Sequence, residues 1–538
     1  MKRFLKIAVL GVAMMISAAA NAQQIPAPVD PTVAACRAIM MQDFSKLPDA
    51  LTAIQSAAVV APAGDLPEYC RIQGFVSPRV SFEVRLPTKT WSGKFLMQGC
   101  GGMCGILNME ATEDSLVRGY AVVNTDMGHK GESFIATWAY NDIQAEIDFG
   151  YRATHVVAVA AKAIVSAYYG KQPAYSYFNG CSTGGRQGVV EAQRFPDDFD
   201  GIVSGAPVLN EIGDGILHLL WSSRANVDAQ GKPIFDARKI AMVRRAVMAK
   251  CDKLDGVEDN ILQDPRSCGF KPADLKCRGK AKDDCLSADE VGVLEKIYAG
   301  AHDSKGNRIF PGGMSVGSEY EWTPAFIGMN KLDGTKTQGA ILTPNTMIYQ
   351  FAQYLAFFND GGPTYNPMTY DWDQDPSRLM LTETLYNAQN PDLRKFKASG
   401  GKMILYHGWD DLEVPPAMSA DYYETTTRTM GGLDNTRDFF RLYMMPSVAH
   451  CRRGPGPDGI DTQTAIENWV EKGIAPDFIL AHKMAKDQPY SGLPRIRFPL
   501  KAGEAVWARP IYAYPDVATY DGKGDWKDPA SWGKGSGK

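Results

Sequence analysis

The sequence predicts an α/β fold in which one strand-and-helix unit is interrupted by a large insertion. Three observations carry this reading. Val80 to Leu86 alternates apolar and polar residues, as a half-buried strand does. Ala174 to Arg194 runs from an aromatic strand through a glycine-rich turn into a helix. That signature fades after Pro207 and returns only at Lys402 to Tyr406.

The N-terminus is set aside first. Lys2, Arg3 and Lys6 precede an apolar run from Ile7 to Ala20, and Ala20-Asn21-Ala22 has the small-x-small form of an export-signal cleavage site. The run is short of the ~18 apolar residues that a membrane span needs. Residues 1–22 are therefore read as a signal peptide cut after Ala22, with the periplasm or the exterior as destination. No later segment looks membrane-spanning, so no membrane partner is expected. The 516 residues that remain are too many for one simple domain. Loss of the three cationic residues takes the formal charge from −4 to −7. A mildly acidic chain without a basic cluster is a poor nucleic-acid ligand. An apolar fraction of 45% is enough for a substantial core. Oligomeric state leaves no mark in the sequence.

In chain order, residues 23–206 form the first part of the α/β unit. Lys94 to Met97 reads as a strand running into the glycine-rich turn Gly99 to Gly105, and Tyr120 to Asn124 as another strand. Tyr151 to Tyr169 has helical periodicity and ends at Gly170, a natural C-cap. Residues 207–395 form the insertion, rich in Gly, Pro, Asp and aromatics, and read as a lid domain. Its aromatic stretch Tyr349 to Phe358 suits either core or the wall of a substrate pocket, core being the commoner fate of such spacing. Residues 396–538 complete the α/β unit, with a Gly- and Lys-rich tail after Gly522 expected to fray. There is no internal repeat.

Gly180-Cys181-Ser182-Thr183-Gly184 fits G-x-S-x-G between a strand and a helix. The pattern has a physical reason. A nucleophile on a sharp strand-to-helix turn needs small flanking residues, and the next backbone N–H is then aimed at a developing oxyanion. Base and acid should follow in the order Ser, acid, His for an α/β-hydrolase fold. Of seven histidines, His450 in S-V-A-H-C lies 39 residues beyond Asp411, which stands just past a late strand in H-G-W-D-D-L-E-V-P-P. The expected triad is Ser182, His450 and an acid of the Asp410-Asp411 pair. A lone histidine is more often structural, and here chain order and loop placement single out His450.

All ten cysteines lie beyond the signal: Cys36, Cys70, Cys100, Cys104, Cys181, Cys251, Cys268, Cys277, Cys285 and Cys451. An even count in an exported chain suggests disulfides, and the C-x2-C and H-x3-5-H spacings of zinc sites are absent.

These motifs together resemble the tannase/feruloyl esterase family, which also contains the bacterial hydrolase of mono(2-hydroxyethyl) terephthalate. The matching text is F-E-V-R-L-P…W-S-G-K-F-L at 82–96, T-D-M-G-H at 125–129, S-Y-F-N-G-C-S-T-G-G-R-Q-G at 176–188, Q-R-F-P-D-D-F-D-G-I-V-S-G-A-P at 193–207, H-G-W-D-D-L-E-V-P-P at 407–416 and H-C at 450–451. The resemblance implies the Ser182–His450–Asp411 triad, with Asp410 as the alternate acid, and a disulfide between Cys181 and Cys451. It also implies an oxyanion hole from the Thr183 N–H and an N–H of the Gly101-Gly102 turn, which a Cys100–Cys104 pair would rigidify. The further C-terminal disulfide that it implies has no counterpart, since Tyr512 stands in R-P-I-Y-A-Y-P and no cysteine follows Cys451.

Cys251 to Ile261 sets closely spaced carboxylates around a glycine turn, a pattern that suits a hard cation or a solvated acidic loop. It is not an EF-hand. The resemblance assigns a structural calcium to Asp252, Asp255 and Asp259 with the Val257 and Ile261 carbonyls. The expected activity is hydrolysis of feruloyl, galloyl or terephthaloyl esters, small or polymer-linked. The rivals are acyl transfer, which needs a drier site, and a calcium- and disulfide-stabilised binding protein for plant polymers.

Overall fold

The computed structural model describes residues 30–280, 283–322, 346–359, 361–486 and 496–537. The expected signal peptide and residues 323–345 of the expected lid lie outside the described residues.

One nine-stranded sheet organises the chain. Its strands are β1 (Thr52–Val60), β2 (Tyr69–Val76), β3 (Val80–Pro87), β4 (Lys94–Gln98), β5 (Ala121–Thr125), β6 (Tyr175–Cys181), β7 (Gly201–Gly205), β8 (Lys402–Gly408) and β9 (Phe440–Met445). They lie in the order β1-β2-β3-β5-β4-β6-β7-β8-β9. The pairs from β1 to β5 are antiparallel, and every pair from β5 through β9 is parallel. This is the expected α/β fold.

Side-chain alternation assigns the two faces. Phe95, Met97, Phe178, Ile202, Leu405 and Leu442 join the larger core cluster. Their neighbours Leu96, Tyr177, Val203, Ile404 and Tyr443 form a second cluster on the opposite face. The helix Ala153–Tyr169 closes the first face with an Ala- and Val-rich stripe and ends at Gly170, whose φ of 71° is the left-handed cap expected there. Ile466 and Trp469 of the helix Thr462–Lys472 close the second. Both faces of the parallel strands are thus covered, which is why they read as near-continuous apolar runs.

β7 and β8 pair side by side, yet Gly205 and Lys402 bracket the whole insertion. Among the described residues this segment contributes no strand to the main sheet. It is built of helices such as Ile240–Cys251, Ala288–Ala299 and Met347–Tyr354, with the disulfides Cys251–Cys268 and Cys277–Cys285. Cys36–Cys70 ties the N-terminal helix to β2.

The C-terminal tail departs from expectation. It does not fray. β10 (Gly459–Ile460), β11 (Phe478–Met484) and β12 (Ala505–Tyr512) form a small sheet, and β13 (Asp516–Tyr520) pairs with β14 (Trp532–Ser536) as a hairpin. Aromatic packing anchors this region, which lacks the disulfide that the family resemblance implied. Trp532 is 5% exposed and packs with Val257 and Ala518. The buried Arg509 guanidinium lies 3.8 Å from the Trp532 ring centroid, a cation–π contact that desolvation strengthens. A tail rich in Gly and Lys therefore folds because a few aromatic residues supply its contacts. Trp532→Ala is expected to cost about 3–5 kcal/mol of stability. The loss should appear as a lower melting temperature and as fast amide exchange across β13 and β14, and wild-type melting with protected amides would contradict the clasp.

Candidate active site

The parallel strands end on one edge of the sheet, and the predicted site residues collect there. Ser182 directly follows β6 and precedes the helix Thr183–Arg194. Its backbone sits at φ 63° and ψ −127°, a conformation rare for any residue with a side chain. The flanking glycines are required by contact. A Cβ on Gly180 would lie 2.5 Å from the Gly184 carbonyl carbon, and one on Gly184 would lie 2.8 Å from the Cys100 carbonyl oxygen. The strained serine is held by backbone packed on backbone.

His450 follows β9 on a loop, and its Nδ1–H donates to Asp411 Oδ2 at 2.7 Å. Asp411 Oδ1 accepts from the Glu413 and Val414 amides, both at 2.9 Å. Asp410 faces the other way, with its Oδ2 3.7 Å from Arg244 Nη1. Burial and the nearby Glu319 carboxylate push Asp410 up to about 7 against the pull of Arg244. Asp411 behaves oppositely. Burial alone would raise it, but the charge of His450 and the hydrogen bonds from His407 and His450 hold it well below the usual carboxylate range. Of the two adjacent acids, Asp411 is the one hydrogen-bonded to His450.

Two features of the site escaped the sequence reading. His407 stands behind Asp411. Its Nε2–H donates to Asp411 Oδ2 at 3.1 Å and to the Val414 carbonyl at 3.0 Å, while Nδ1 meets the Ser419 hydroxyl at 2.7 Å. The carboxylate is thus braced by two imidazoles. Glu413 is the second feature. Its Oε2 lies 3.7 Å from His450 Nε2, the nitrogen turned away from Asp411. The only sequence signal for either was membership of the H-G-W-D-D-L-E-V-P-P text.

The Cys181–Cys451 disulfide joins the residue before Ser182 to the residue after His450, with Cα atoms 6.0 Å apart and 270 residues between them in sequence. Closing so long a loop removes on the order of 5 kcal/mol of chain entropy from the unfolded state. Cys100–Cys104 closes the glycine turn. Thr183 Oγ1 donates to the Gly102 carbonyl at 2.6 Å, tying that turn to the start of the helix. All ten cysteines are paired.

Ser182, Thr183, His450, Gly101 and Gly102 line one cavity of about 720 Å³. Residues of the insertion form part of its wall, including Asp214, Leu219, Ile348 and Phe351. Of the aromatic stretch, Phe351 lines the cavity, whereas Tyr354 and Phe357 are core. A hydroxyl on a strained turn, an imidazole braced by a carboxylate and backbone amides around one cavity are the parts of a nucleophilic acyl-transfer site.

The acidic loop of the insertion is a compact turn closed at Gly256, whose φ is 94°. Asp252 accepts the Asp259 and Asn260 amides, Asp255 Oδ1 accepts Val257 N–H at 3.1 Å, and Asp259 Oδ1 accepts Ile261 N–H at 3.1 Å. Arg509 pairs with Asp259 and lies 3.9 Å from Asp255 Oδ2, which is buried and makes no hydrogen bond among the described residues. Burial and the other two aspartates push Asp255 up to about 6. Three carboxylates against one guanidinium, with an orphaned oxygen, fit a hard divalent cation. Elsewhere, the ligand atoms of His155, Glu191 and Asp198 lie within 4.8 Å of one another. There Lys162 Nζ already stands 2.7 Å from the Asp198 carbonyl and His155 Nδ1 2.6 Å from its carboxylate, so the group reads as a proton-sharing brace.

The family model described as tannase and feruloyl esterase matches residues 66–533. Mono(2-hydroxyethyl) terephthalate hydrolase from Piscinibacter sakaiensis is 32% identical, covering 91% of this chain and 90% of its own. An uncharacterized esterase from Xanthomonas campestris pv. campestris is also 32% identical, covering 89% of this chain and 87% of its own. The crystal structure of feruloyl esterase B from Aspergillus oryzae superposes with a TM-score of 0.79 at 26% identity, over 94% of this chain and 100% of that one.

The charges around His450 generate a prediction. Burial alone would lower the imidazole, but Asp411 and Glu413 outweigh it, against a small opposing effect of Arg453, and raise it to about 9. The unfolded value is ~6.5, so the charged ring stabilises the fold fully below that pH, and the contribution is lost as pH rises through about 9. A proton NMR titration should find the His450 ring, assigned with His450→Gln, titrating near 9. Glu413→Gln should move its midpoint lower. A midpoint of ~6.5 in the wild type would contradict the arrangement.

Proposed function

The chain belongs to the tannase and feruloyl esterase family of carboxylic ester hydrolases, and from that premise we propose that it is an exported enzyme that cleaves aromatic acid esters through Ser182, His450 and Asp411. The observation that carries the reading is the pairing of two positions. Ser182 stands on a strained turn and His450 is hydrogen-bonded to Asp411, and both face one cavity with their neighbours joined by the Cys181–Cys451 disulfide.

In the first half-reaction His450 Nε2, in the neutral form that grows as pH rises toward 9, takes the Ser182 proton as Oγ attacks the ester carbonyl. Charge gathers on the carbonyl oxygen, where the Thr183 amide and an amide of the Gly101-Gly102 turn supply fixed donors. One such donor contributes about 3–4 kcal/mol in comparable sites. The tetrahedral species breaks its C–O bond, the alcohol leaves with the proton from His450, and an acyl-enzyme remains. Water then attacks as His450 takes its proton. The acid departs, and Ser182 regains its hydrogen. Asp411 stays ionised throughout, orienting the imidazole and stabilising its charged form. His407 holds Asp411 in turn.

The substrate class rests on the relatives and on the wall of the cavity. The relatives named above act on feruloyl and terephthalate esters. Phe351, Ile348 and Leu219 offer a flat acyl group apolar contact. Structural calcium belongs to the same reading. Asp252, Asp255 and Asp259 would hold it, with the Val257 and Ile261 carbonyls, and it would neutralise the loop without entering the chemistry.

Ser182→Ala should lose on the order of 10⁶ in kcat while the fold and the substrate Kd survive. Near-normal turnover by a folded mutant would overturn the assignment. Chelation should lower the melting temperature of the wild type, because the ion binds only the folded loop. Asp255→Ala should lower it without chelator. Metal analysis that finds no calcium, with melting indifferent to both treatments, would overturn the calcium reading.

A further inference from the structure

One carboxyl in the wall of the cavity has no task in the chemistry above. Asp214 lies in the inserted segment E-I-G-D-G-I-L-H-L-L, 5% exposed among apolar residues. It lines the same cavity as Ser182 and His450. Its Oδ1 is fully buried, and among the described residues it makes no hydrogen bond and no ion pair reaches the side chain. The neighbouring acids are all engaged. Glu211 pairs with the buried Arg186 at 2.9 Å, Asp411 is bonded to His407 and His450, and Glu413 faces His450. A buried polar group left without a partner costs about 1–3 kcal/mol, so its persistence in a cavity wall calls for a partner that arrives with the ligand.

The surroundings define that partner. Val208, Leu219, Ile348, Phe351 and Val414 line the cavity as apolar surface. Gly215 lets Phe351 lie directly against the backbone, because a Cβ there would meet the ring at 2.4 Å. Burial, together with the negative charges of Glu211, Asp411 and Glu413, raises the Asp214 carboxyl well above its usual range and so favours its neutral form. A neutral carboxylic acid both donates and accepts, which a hydroxyl answers on both counts. A carboxylate on the ligand would fare worse. Glu413 stands nearby, and the cavity's arginines are already drawn to acids. Arg85 pairs with Glu83 at 2.8 Å, Arg453 with Glu321 at 3.2 Å, and Arg452 feels Asp458.

We propose that Asp214 is a specificity-determining residue of the acyl pocket, exchanging hydrogen bonds with a ring hydroxyl of the aromatic acid. Hydroxylated acyl groups are then taken in preference to fully methoxylated ones and to acyl groups that end in a free carboxylate. The proposal rests on the esterase reading of Ser182.

The test is kcat/KM for methyl ferulate, methyl dimethoxycinnamate and monomethyl terephthalate, measured on the wild type, Asp214→Asn and Asp214→Ala. Wild-type hydrolysis of nitrophenyl acetate serves as the reference for the chemistry. The wild type should favour ferulate over dimethoxycinnamate by about tenfold or more, the value of a hydrogen bond to a buried group. Asp214→Ala should bring that ratio close to one, chiefly through KM for ferulate. Asp214→Asn, which still exchanges hydrogen bonds, should keep more of it. Terephthalate half-ester should be the poorest wild-type substrate of the three. A wild-type ratio near one, or a wild-type ratio retained by Asp214→Ala, overturns the inference while nitrophenyl acetate is still cleaved. If Asp214→Ala does not fold, the wild-type ratio and its change in Asp214→Asn decide alone. Failure to cleave any ester, acetate included, refutes the esterase reading and the inference with it.

Discussion

β6 must end and a helix must begin within a single residue, and that residue is Ser182. Its φ of 63° is tolerable only because glycines surround it, and those glycines bring β6, the Gly99–Gly105 turn and the following helix into direct backbone contact. The strain is local, but its support is not. β7 backs the turn through the Ser182 N–H bond to the Gly205 carbonyl, and Gly205 is the last residue of β7, two short of the insertion. The cavity, the imidazole loop and the inserted helices are therefore arranged around one point where the backbone has little freedom.

Charge is distributed around this point with the same economy. Asp411, buried and ionised, is satisfied by two amides and two imidazoles. Asp410, its neighbour in sequence, is satisfied by none of these and is held by Arg244 on the far side. Adjacent carboxyls thus take opposite protonation behaviour because the strand end turns one toward His450 and the other away. In a medium of low dielectric such a difference of partners matters more than the identity of the side chain.

Much of this was legible in the sequence, for physical reasons. The glycine pattern around Ser182 records a steric demand, and steric demands leave few alternatives. β4 through β6 and β8 read correctly because buried parallel strands are apolar and bounded by turns, and β3, antiparallel to both neighbours, because its apolar and polar residues alternate. β1 and β2 went unread. Thr52–Val60 mixes small and polar residues without clean alternation, and its partner β2 carries an inner glycine. The tail was misread because composition averages over residues, whereas Trp532 and Arg509 act individually. His407, Glu413 and Asp214 were missed as site residues because their roles depend on what lies across the cavity. For Asp214 a signal did exist, a lone acid in an apolar run.

The long disulfide also bears on how the chain is made. Four of the five bonds join cysteines that are consecutive in the sequence, at separations of 34, 4, 17 and 8 residues. Each can close soon after its second thiol appears. Cys181 is different, because the next thiol to emerge is Cys251, and its true partner follows 270 residues after it. At ~5–20 residues per second that is an interval of tens of seconds or less. If the chain is exported as proposed, the nucleophile strand then carries an open thiol in an oxidising compartment, beside four cysteines that are not its own. Simple pairing by order of arrival would join Cys181 to Cys251 and strand Cys268. Correct assembly then requires either that β6 bury its thiol early or that a wrong bond be exchanged later by thiolate attack. The bond that ties the histidine loop to the elbow is thus also the one bond of the five whose correct pairing cannot follow from the order in which the thiols appear.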